Sequence, residues 1–196
     1  MATGEGSYSQ RLESLQGARW KRVLDVQRPY RKNLLRVCEG RVLEVGCGVG
    51  RNLRNLNGRI VGVDVDRESV DFARSQGLAA QHVEDFQAEQ ASDPQLFGTL
   101  LLSHVLEHVS RDDAHALMQT YLPWLEPGGV VVVECPQERG FASDYSHIRW
   151  VGFEEITDLF AAFDIRVTSQ YSFPFPRWMG SAFLYNEFVV VGRTAS

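Results

Sequence analysis

Apolar residues follow two different periodicities along the chain. Helical spacing runs from about Arg11 to Val37 and is interrupted by Pro29, which predicts two N-terminal helices with a joint near residues 28–30. After Gly40, short continuous apolar runs alternate with stretches of helical spacing. The runs predict seven strands, at residues 42–45, 60–64, 78–83, 99–103, 130–134, 165–171 and 187–191. Further helices are expected to begin at residue 51 and to cover residues 67–76, 111–122 and 153–163.

This alternation of strands and helices is typical of an α/β fold. Continuously apolar strands indicate a mostly parallel sheet that is covered on both faces. We therefore expect a Rossmann-like, doubly wound sheet of seven strands. No linker or repeat divides the chain, so residues 1–39 are interpreted as a helical cap or lid and residues 40–196 as one ligand-binding domain.

The turn after the first strand carries the most informative chemistry. Three glycines fall within residues 46–50 (GCGVG), and glycine lets the backbone approach a ligand closely. The loop leads into a helix start, where we expect free N–H groups to point at the ligand. Glu44 precedes this loop, and Asp64 ends the second strand. An acid at that second place can accept hydrogen bonds from both ribose hydroxyls.

The spacing of the glycines selects among nucleotide ligands. A dinucleotide fingerprint needs a third glycine where this chain has Arg51. An acid at Glu44 is unsuited to a pyrophosphate but suits an α-amino group. The expected ligand joins a ribose to an amino acid, as S-adenosyl-L-methionine does. A glycine turn that serves only strand–helix packing is the alternative.

At this point the chain resembles the class I S-adenosylmethionine-dependent methyltransferases of the small-molecule O-methyltransferase type, over residues 40–195. The matching segments are VLEVGCGVGRN (42–52), GVDVD (62–66), VEDF (83–86), LSHVLEHV (102–109) and LEPGGVVVVE (125–134). The resemblance implies that the last strand runs antiparallel. It also implies that Asp85 contacts the adenine amino group beside Phe86, and that Ser103 and His104 line the methionine end. The full predicted cofactor set is Glu44, Gly46, Cys47, Gly48, Asn52, Asp64, Val65, Asp85, Phe86, Ser103 and His104.

Methyl transfer requires the protein to align an acceptor and to remove its proton. The segment DYSHIRW (144–150) follows the fifth strand and concentrates suitable groups. We predict His147 as general base or substrate orienter, with Asp144 as its support. The alternative is a loop-stabilising hydrogen-bond cluster with Arg149 packed on Trp150. The predicted acceptor contacts are Tyr30, Arg31, Tyr145, Arg149, Trp150 and Trp178, with Trp20 as a further lid residue.

His108 is a second catalytic candidate, although a cofactor-lining or structural role competes with it. The string His104-x-x-Glu107-His108 also occurs in an inverted zinc motif. The glycine loop favours a cofactor pocket instead, so no metal site is predicted. Mg²⁺ held by Asp144, His147 and a carboxylate such as Glu134 or Glu138 is an alternative.

Composition indicates the cellular compartment and the classes of binding partner that we expect. The 196 residues are 44% hydrophobic and 23% charged, as in an ordinary globular protein, and no apolar run is long enough to span a membrane. Cys38, Cys47 and Cys135 lack CxxC spacing, so we interpret Cys47 and Cys135 as small buried residues and expect a reducing cytoplasm. The net charge is −5, and the excess of cations lies within residues 1–59. Neither nucleic acid nor a membrane is an expected partner. A homodimer is an alternative to a monomer.

The sequence thus predicts an O-methyltransferase acting on a small-molecule hydroxyl, with a sugar or glycan precursor as first choice. A quinone, phenol or carboxylate acceptor is the second choice. A cofactor-binding partner protein without turnover is the non-enzymatic alternative. The absent third glycine disfavours a nicotinamide-dependent oxidoreductase. N-methylation is disfavoured because the fourth strand ends without an Asn/Asp-Pro-Pro-Tyr sequence.

Overall fold

The computed structural model describes residues 27–195. Its seven strands are β1 Val42–Val45, β2 Ile60–Asp64, β3 Ala80–His82, β4 Phe97–Ser103, β5 Leu125–Pro136, β6 Arg166–Phe173 and β7 Glu187–Arg193. They form one sheet in the order β3-β2-β1-β4-β5-β7-β6. The pairs from β3 to β5 are parallel, whereas β7 is antiparallel to both β5 and β6. The predicted sheet, with its antiparallel last strand, is confirmed.

Seven α-helices accompany the sheet within the described part of the chain. They are α1 Arg28–Val37, α2 Arg51–Asn55, α3 Arg67–Ser75, α4 Val83–Ser92, α5 Arg111–Tyr121, α6 Glu138–Phe141 and α7 Phe153–Ala161. Short 3-10 turns cover Leu106–His108, Leu122–Trp124 and Arg177–Ser181. None of the helices within residues 27–195 is both long and apolar enough to cross a bilayer.

Apolar side chains cover both faces of the sheet, because successive residues of a strand point to opposite sides. In β5, Val131 and Val133 belong to one core together with Met118 of α5 and Phe160 of α7. Val130 and Val132 belong to a second core, on the other face. That second core also contains Leu34 of α1, Leu53 of α2 and Val70 of α3. Continuous apolar runs were therefore a correct signal for a sheet buried on both faces.

Both predicted boundaries of the third strand are wrong, because it begins at Ala80 and not at residue 78. The strand was expected to run through Val83, but it ends at His82, and Val83 begins the unpredicted helix α4. The reason is local, since Nδ1 of His82 accepts a hydrogen bond from the backbone N–H of Glu84 at 3.3 Å. This side chain caps the helix and so ends the strand.

The described residues include the second of the two predicted N-terminal helices. Helix α1 begins at Arg28 with Pro29 in its first turn, where the missing N–H costs no hydrogen bond. This start agrees with the predicted joint near residues 28–30. The first predicted helix and Trp20 lie outside the described residues. The division into a cap and a ligand-binding domain stays a prediction.

Candidate functional site

The loop between β1 and α2 has the conformation that its glycines permit. Gly46, Gly48 and Gly50 have φ angles of 74°, 50° and 83°, in the left-handed region that favours glycine. A Cβ on Gly50 would lie 2.5 Å from Leu78 Cδ1, whereas a Cβ on Gly48 would meet no atom within 4 Å. Gly50 therefore packs the loop against the protein, and Gly48 leaves open space beside it.

The N–H groups of this loop are mostly taken by the protein itself. Gly46 N and Cys47 N donate to the carbonyl of Val63, at 2.8 and 3.2 Å, and Gly48 N donates to Asp64 Oδ2 at 2.7 Å. These three donors of the loop are therefore engaged within the protein. The expectation of free N–H groups at the start of α2 stays a prediction.

Asp64 lies at the carboxyl end of β2 and fixes the loop. Its Oδ2 accepts from Gly48 N, and its Oδ1 accepts from Asp66 N at 2.9 Å. A carboxylate offers about four acceptor positions, so lone pairs are left for two further donors. The side chain is half-buried at the edge where β1 and β2 end.

Glu44 is a buried acid in the middle of an apolar strand. Its Oε1 accepts a hydrogen bond from Asn52 Nδ2 at 2.7 Å, while Oε2 is buried without a hydrogen-bond partner among residues 27–195. Burial raises the pKa of Glu44 to about 8, against the opposing effect of Asn52. A second donor, and above all a cationic one, would complete this site.

A polar chain crosses from α2 to β5. Arg51 Nη2 donates to Ser103 Oγ at 3.1 Å, and Ser103 Oγ donates to Glu134 Oε2 at 2.8 Å. Ser103 and Glu134 are directly paired in the sheet register. Burial, followed by the nearby charge of Glu187, raises the pKa of Glu134 to about 7. The predicted residue Ser103 thus belongs to a hydrogen-bond network that links the end of β4 to β5.

His104 is held between two buried acids directly after β4. Its Nδ1 lies 3.2 Å from Glu107 Oε1, and its Nε2 lies 2.8 Å from Glu187 Oε1. Burial alone would lower the pKa of His104, but Glu107 and Glu187 outweigh it and raise the pKa to about 10. The backbone of His104 has a φ of 58°, which is uncommon for a residue with a side chain. His104 is therefore an imidazolium fixed in place at the end of β4.

The loop after α6 brings the two predicted catalytic histidines together. The rings of His108 and His147 have centroids 4.7 Å apart. His147 Nδ1 lies 2.8 Å from the carbonyl of Phe141, and His108 Nδ1 lies 3.3 Å from the carbonyl of Ser146. Because a carbonyl only accepts, these contacts favour a proton on each Nδ1, and in the neutral ring Nε2 then carries the lone pair.

The predicted support by Asp144 is indirect. Asp144 Oδ1 accepts hydrogen bonds from the N–H and the hydroxyl of Ser146, at 2.9 and 2.7 Å. The Ser146 hydroxyl lies 3.2 Å from His108 Nδ1. His147 takes its orientation from the Phe141 carbonyl, and its ring stacks on that of Phe141 at 5.3 Å. Asp144 therefore positions His108 through Ser146.

Arg149 and Trp150 stabilise the loop. The Arg149 guanidinium donates to the carbonyls of Leu106 and Val109, at 3.0 and 3.2 Å. Trp150 makes edge contacts with the rings of Phe141 and Phe188. Arg149 therefore has a structural role through two of its N–H donors, and its predicted acceptor contact stays a prediction. That role is the alternative weighed above, although with carbonyls, and not Trp150, as the partners of Arg149.

Three further predicted acceptor residues differ in accessibility. Tyr145 and Trp178 have 87% and 73% of their surface exposed. Tyr30 donates its hydroxyl to the carbonyl of Tyr185 at 2.8 Å and packs edge-on against Phe173. Burial raises the pKa of the Tyr30 hydroxyl, with the charge of Glu187 as the next cause. Tyr30 and Arg31 both lie on α1, and Tyr30 fixes that helix to the segment before β7.

Comparison with known families assigns the chain. Residues 21–170 match the methyltransferase domain family. The chain belongs to this methyltransferase family. Over 115 residues it is 33% identical to the ubiquinone biosynthesis O-methyltransferase of Xanthomonas euvesicatoria pv. vesicatoria (strain 85-10), covering 53% of this chain and 46% of that protein. Over 101 residues it is 26% identical to the phosphoethanolamine N-methyltransferase of Triticum aestivum, covering 47% of this chain and 20% of that protein. The chain spans about half, or less, of the length of these curated relatives.

Solved structures share the fold of this methyltransferase. An S-adenosylmethionine-dependent methyltransferase from Archaeoglobus fulgidus superposes with a TM-score of 0.67 at 16% identity, covering 96% of this chain and 100% of that one. The N-methyltransferase NodS from Bradyrhizobium japonicum WM9, in complex with S-adenosyl-L-homocysteine, gives a TM-score of 0.65 at 16% identity, covering 96% and 98%. The predicted class I methyltransferase fold is confirmed.

The residues of the methyltransferase site fit S-adenosylmethionine. The partnerless Oε2 of Glu44 can accept from a ligand ammonium, and Asp64 has lone pairs for ribose hydroxyls. The open space beside Gly48 admits a ligand close to the backbone.

Two adenine contacts implied by the resemblance have different outcomes. Phe86 is 1% exposed and packs against the rings of Phe97, Tyr121 and Trp124. Its expected place beside the adenine is therefore corrected to a place in the core. Asp85 lies in the first turn of α4, with an ion pair to Arg74 at 3.6 Å, and its contact with adenine stays a prediction.

Sequence reasoning missed two acids of the site. Glu107 and Glu187 are buried on either side of His104, and no role was assigned to them. Glu187 is 83 residues from His104 in the chain, so no local motif joins the pair. The available signal was an acid at the start of the apolar run of β7.

Proposed function

We propose that this methyltransferase transfers the methyl group of S-adenosylmethionine to a hydroxyl of a small molecule. One observation carries the choice of a hydroxyl, which must lose a proton as it is methylated. His147 Nδ1 is committed to the Phe141 carbonyl at 2.8 Å, so its Nε2 is the nitrogen that can take a proton. His147 is therefore the proposed general base.

The cofactor is proposed to lie across the ends of β1, β2 and β4. Glu44 accepts from its α-amino group, and Asp64 accepts from its ribose hydroxyls. Bound there, the cofactor supplies an electrophilic methyl group on a sulfonium. Because that methyl is already activated, the protein's part is to align the acceptor and to remove its proton.

The position of the histidines supports this division of labour. His104 follows β4 directly, and Glu107 connects it to the segment that carries His108. Backbone N–H groups of Ile148 and Arg149 donate to the carbonyl of Glu107, at 2.9 and 3.2 Å. These contacts hold the His147 loop beside the methionine end of the proposed cofactor site.

A hydroxyl on an aromatic or quinone ring now takes precedence over a sugar hydroxyl. The curated relative from Xanthomonas is named as a ubiquinone biosynthesis O-methyltransferase. The ring of Phe141 stacks on His147, and Trp150 packs against Phe141. Flat aromatic side chains next to the base suit a flat acceptor by stacking. A sugar or glycan-precursor hydroxyl is the second candidate within the same proposal.

Transfer of a radiolabelled methyl group tests the proposal. The purified full chain is incubated with methyl-labelled S-adenosylmethionine and separate panels of phenols, hydroquinones, sugars and amines. We expect label in the phenol or hydroquinone panel. H147A should lower turnover by roughly 100- to 10,000-fold while cofactor affinity stays within about twofold. H115A is the matched control, because His115 lies on α5 beside Phe163.

The other outcomes contradict parts of the proposal. Label only in the amine panel would overturn O-methylation, and full turnover by H147A would overturn the base role. Cofactor binding without label in any panel or in a cell extract would favour a partner protein without turnover.

A further inference from the structure

Three potential metal ligands converge next to the proposed acceptor site. One ligand atom from each of Glu107, His108 and His147 lies within 4.8 Å of the others. Glu107 and His108 belong to the turn after β4, and His147 comes from the loop after α6. The sequence alone set aside a metal at the string His104-x-x-Glu107-His108. The fold changes this view, because it adds a second imidazole that lies 39 positions beyond His108 in the chain.

The two imidazoles are oriented as metal ligands usually are. Each Nδ1 is engaged by a backbone carbonyl, from Ser146 for His108 and from Phe141 for His147. Histidines that bind metals almost always donate the other ring N–H to a carbonyl or carboxylate in this way. These contacts favour the tautomer whose Nε2 can bind a cation.

The carboxyl group in the cluster is buried. Glu107 is 0% exposed, and its Oε2 has no hydrogen-bond partner in the described part of the chain. His104 lies between Glu107 and Glu187, so the two buried carboxyl groups share one imidazole. A cation bound at Glu107 would give its buried oxygen a partner.

We propose that Glu107, His108 and His147 bind a divalent first-row transition-metal ion, with Zn²⁺ as the preferred type. Two imidazole nitrogens and one carboxylate form the three-ligand set of catalytic zinc sites, which keep a fourth position for water or substrate. The two nitrogen donors disfavour Mg²⁺, which prefers oxygen. The site therefore differs from the Mg²⁺ alternative built on Asp144. Metal bonds of about 2.1 Å in tetrahedral geometry place ligand atoms roughly 3.4 Å apart, so the three side chains must draw closer together when the ion binds.

The role of the ion rests on the proposed function. A metal ion and a proton compete for the same lone pair of His147 Nε2. In the metal-loaded protein His147 is a ligand, and the open coordination position takes the acceptor oxygen and lowers its pKa. In the metal-free protein His147 is the base.

Direct metal binding tests the site without any methyl transfer. The untagged full chain is stripped with a chelator, dialysed and titrated with Co²⁺ and with Zn²⁺. We expect one ion per chain and a visible Co²⁺ absorption band with nitrogen–oxygen ligation. H108A and H147A should each weaken the affinity at least 10-fold, and H115A should bind as the wild type does. E107Q is informative only if its circular dichroism is native, so the two histidine variants decide the result.

Two results would overturn the site. One is the absence of saturable binding below about 1 mM, and the other is unchanged affinity in both H108A and H147A. A methyl-transfer assay on the chelator-treated protein, with and without added Zn²⁺, separates the two proposals. Metal binding without label transfer to any hydroxyl sinks the proposed function alone. Label transfer without metal binding sinks the metal site alone.

Discussion

His104 Nε2 lies 2.8 Å from Glu187 Oε1, which joins the end of β4 to the start of β7. This contact closes the region between two strands that are not neighbours in the sheet. It also holds His104 in its left-handed conformation, which would otherwise be unfavourable by about 1 kcal/mol or more.

The charge of His104 should depend on Glu187. The folded pKa of His104 is about 10, against an ordinary value of 6.5. The stabilisation is fully present below pH 6.5 and is lost as the pH rises through about 10, because the folded state binds the extra proton in that window. E187Q should lower the His104 pKa in an NMR titration and reduce this loss of stability with pH. An unchanged His104 titration in E187Q would contradict the pairing.

Replacing Glu44 by Gln should weaken cofactor binding and stabilise the folded protein. The folded pKa of Glu44 is about 8, so Glu44 is mostly protonated at neutral pH while the unfolded chain is ionised above about pH 4.5. The free energy of unfolding therefore falls between these values, by about 1.4 kcal/mol per pH unit at most. E44Q should remove this dependence, melt at a higher temperature than the wild type at pH 8, and bind S-adenosylmethionine at least 10-fold more weakly.

The exposed acid Glu126 provides the matched control. E126Q should change neither the melting temperature nor the affinity. Equal melting temperatures of E44Q and the wild type at pH 8 would show that Glu44 is not destabilising in the free protein.

Two glycines of the loop should respond differently to alanine. Both are left-handed, so each substitution costs about 1 kcal/mol of backbone strain. G50A adds a clash with Leu78 and should lose about 1–3 kcal/mol more. G48A meets open space and should mainly weaken cofactor binding. Chemical denaturation and calorimetry measure the two effects, and equal stability losses would argue against this division.

Substitutions of Asp85 and Phe86 should likewise have different effects, one on cofactor affinity and the other on stability. F86A should lose about 3–5 kcal/mol of stability, because Phe86 is buried among aromatic rings. D85N should weaken S-adenosylmethionine binding several-fold at nearly constant stability, with the exposed neighbour E84Q as control. Wild-type affinity in D85N would remove the adenine contact.

The sheet could be predicted because its strands are short apolar runs bounded by glycine turns. The run at residues 130–134 reports its burial directly, and β5 extends it to Leu125–Pro136. Helix α4 could not be predicted in the same way. Its sequence VEDFQAEQAS has few large apolar residues, and only Phe86 and Gln90 are buried. The helix depends on the cap from His82, which has no signal in apolar spacing.

The cofactor side of the site was easier to predict than the acceptor side. Glu44, Gly48 and Asp64 lie next to apolar strands whose ends meet at one edge of the sheet. The partners of His104 and His147 come from distant segments. Glu187 and the Phe141 carbonyl have no fixed spacing from them, and a backbone carbonyl has no sequence signal at all.

We propose that the loop at Gly46–Gly50, together with Glu44 and Asp64, binds a nucleoside joined to an amino acid. Isothermal titration calorimetry of the full chain with S-adenosylmethionine, S-adenosylhomocysteine and NAD tests it most directly. We expect one site per chain for the first two ligands and no heat with NAD. Folded protein that gives no heat with either sulfur-containing ligand would show that this loop does not bind such a nucleoside.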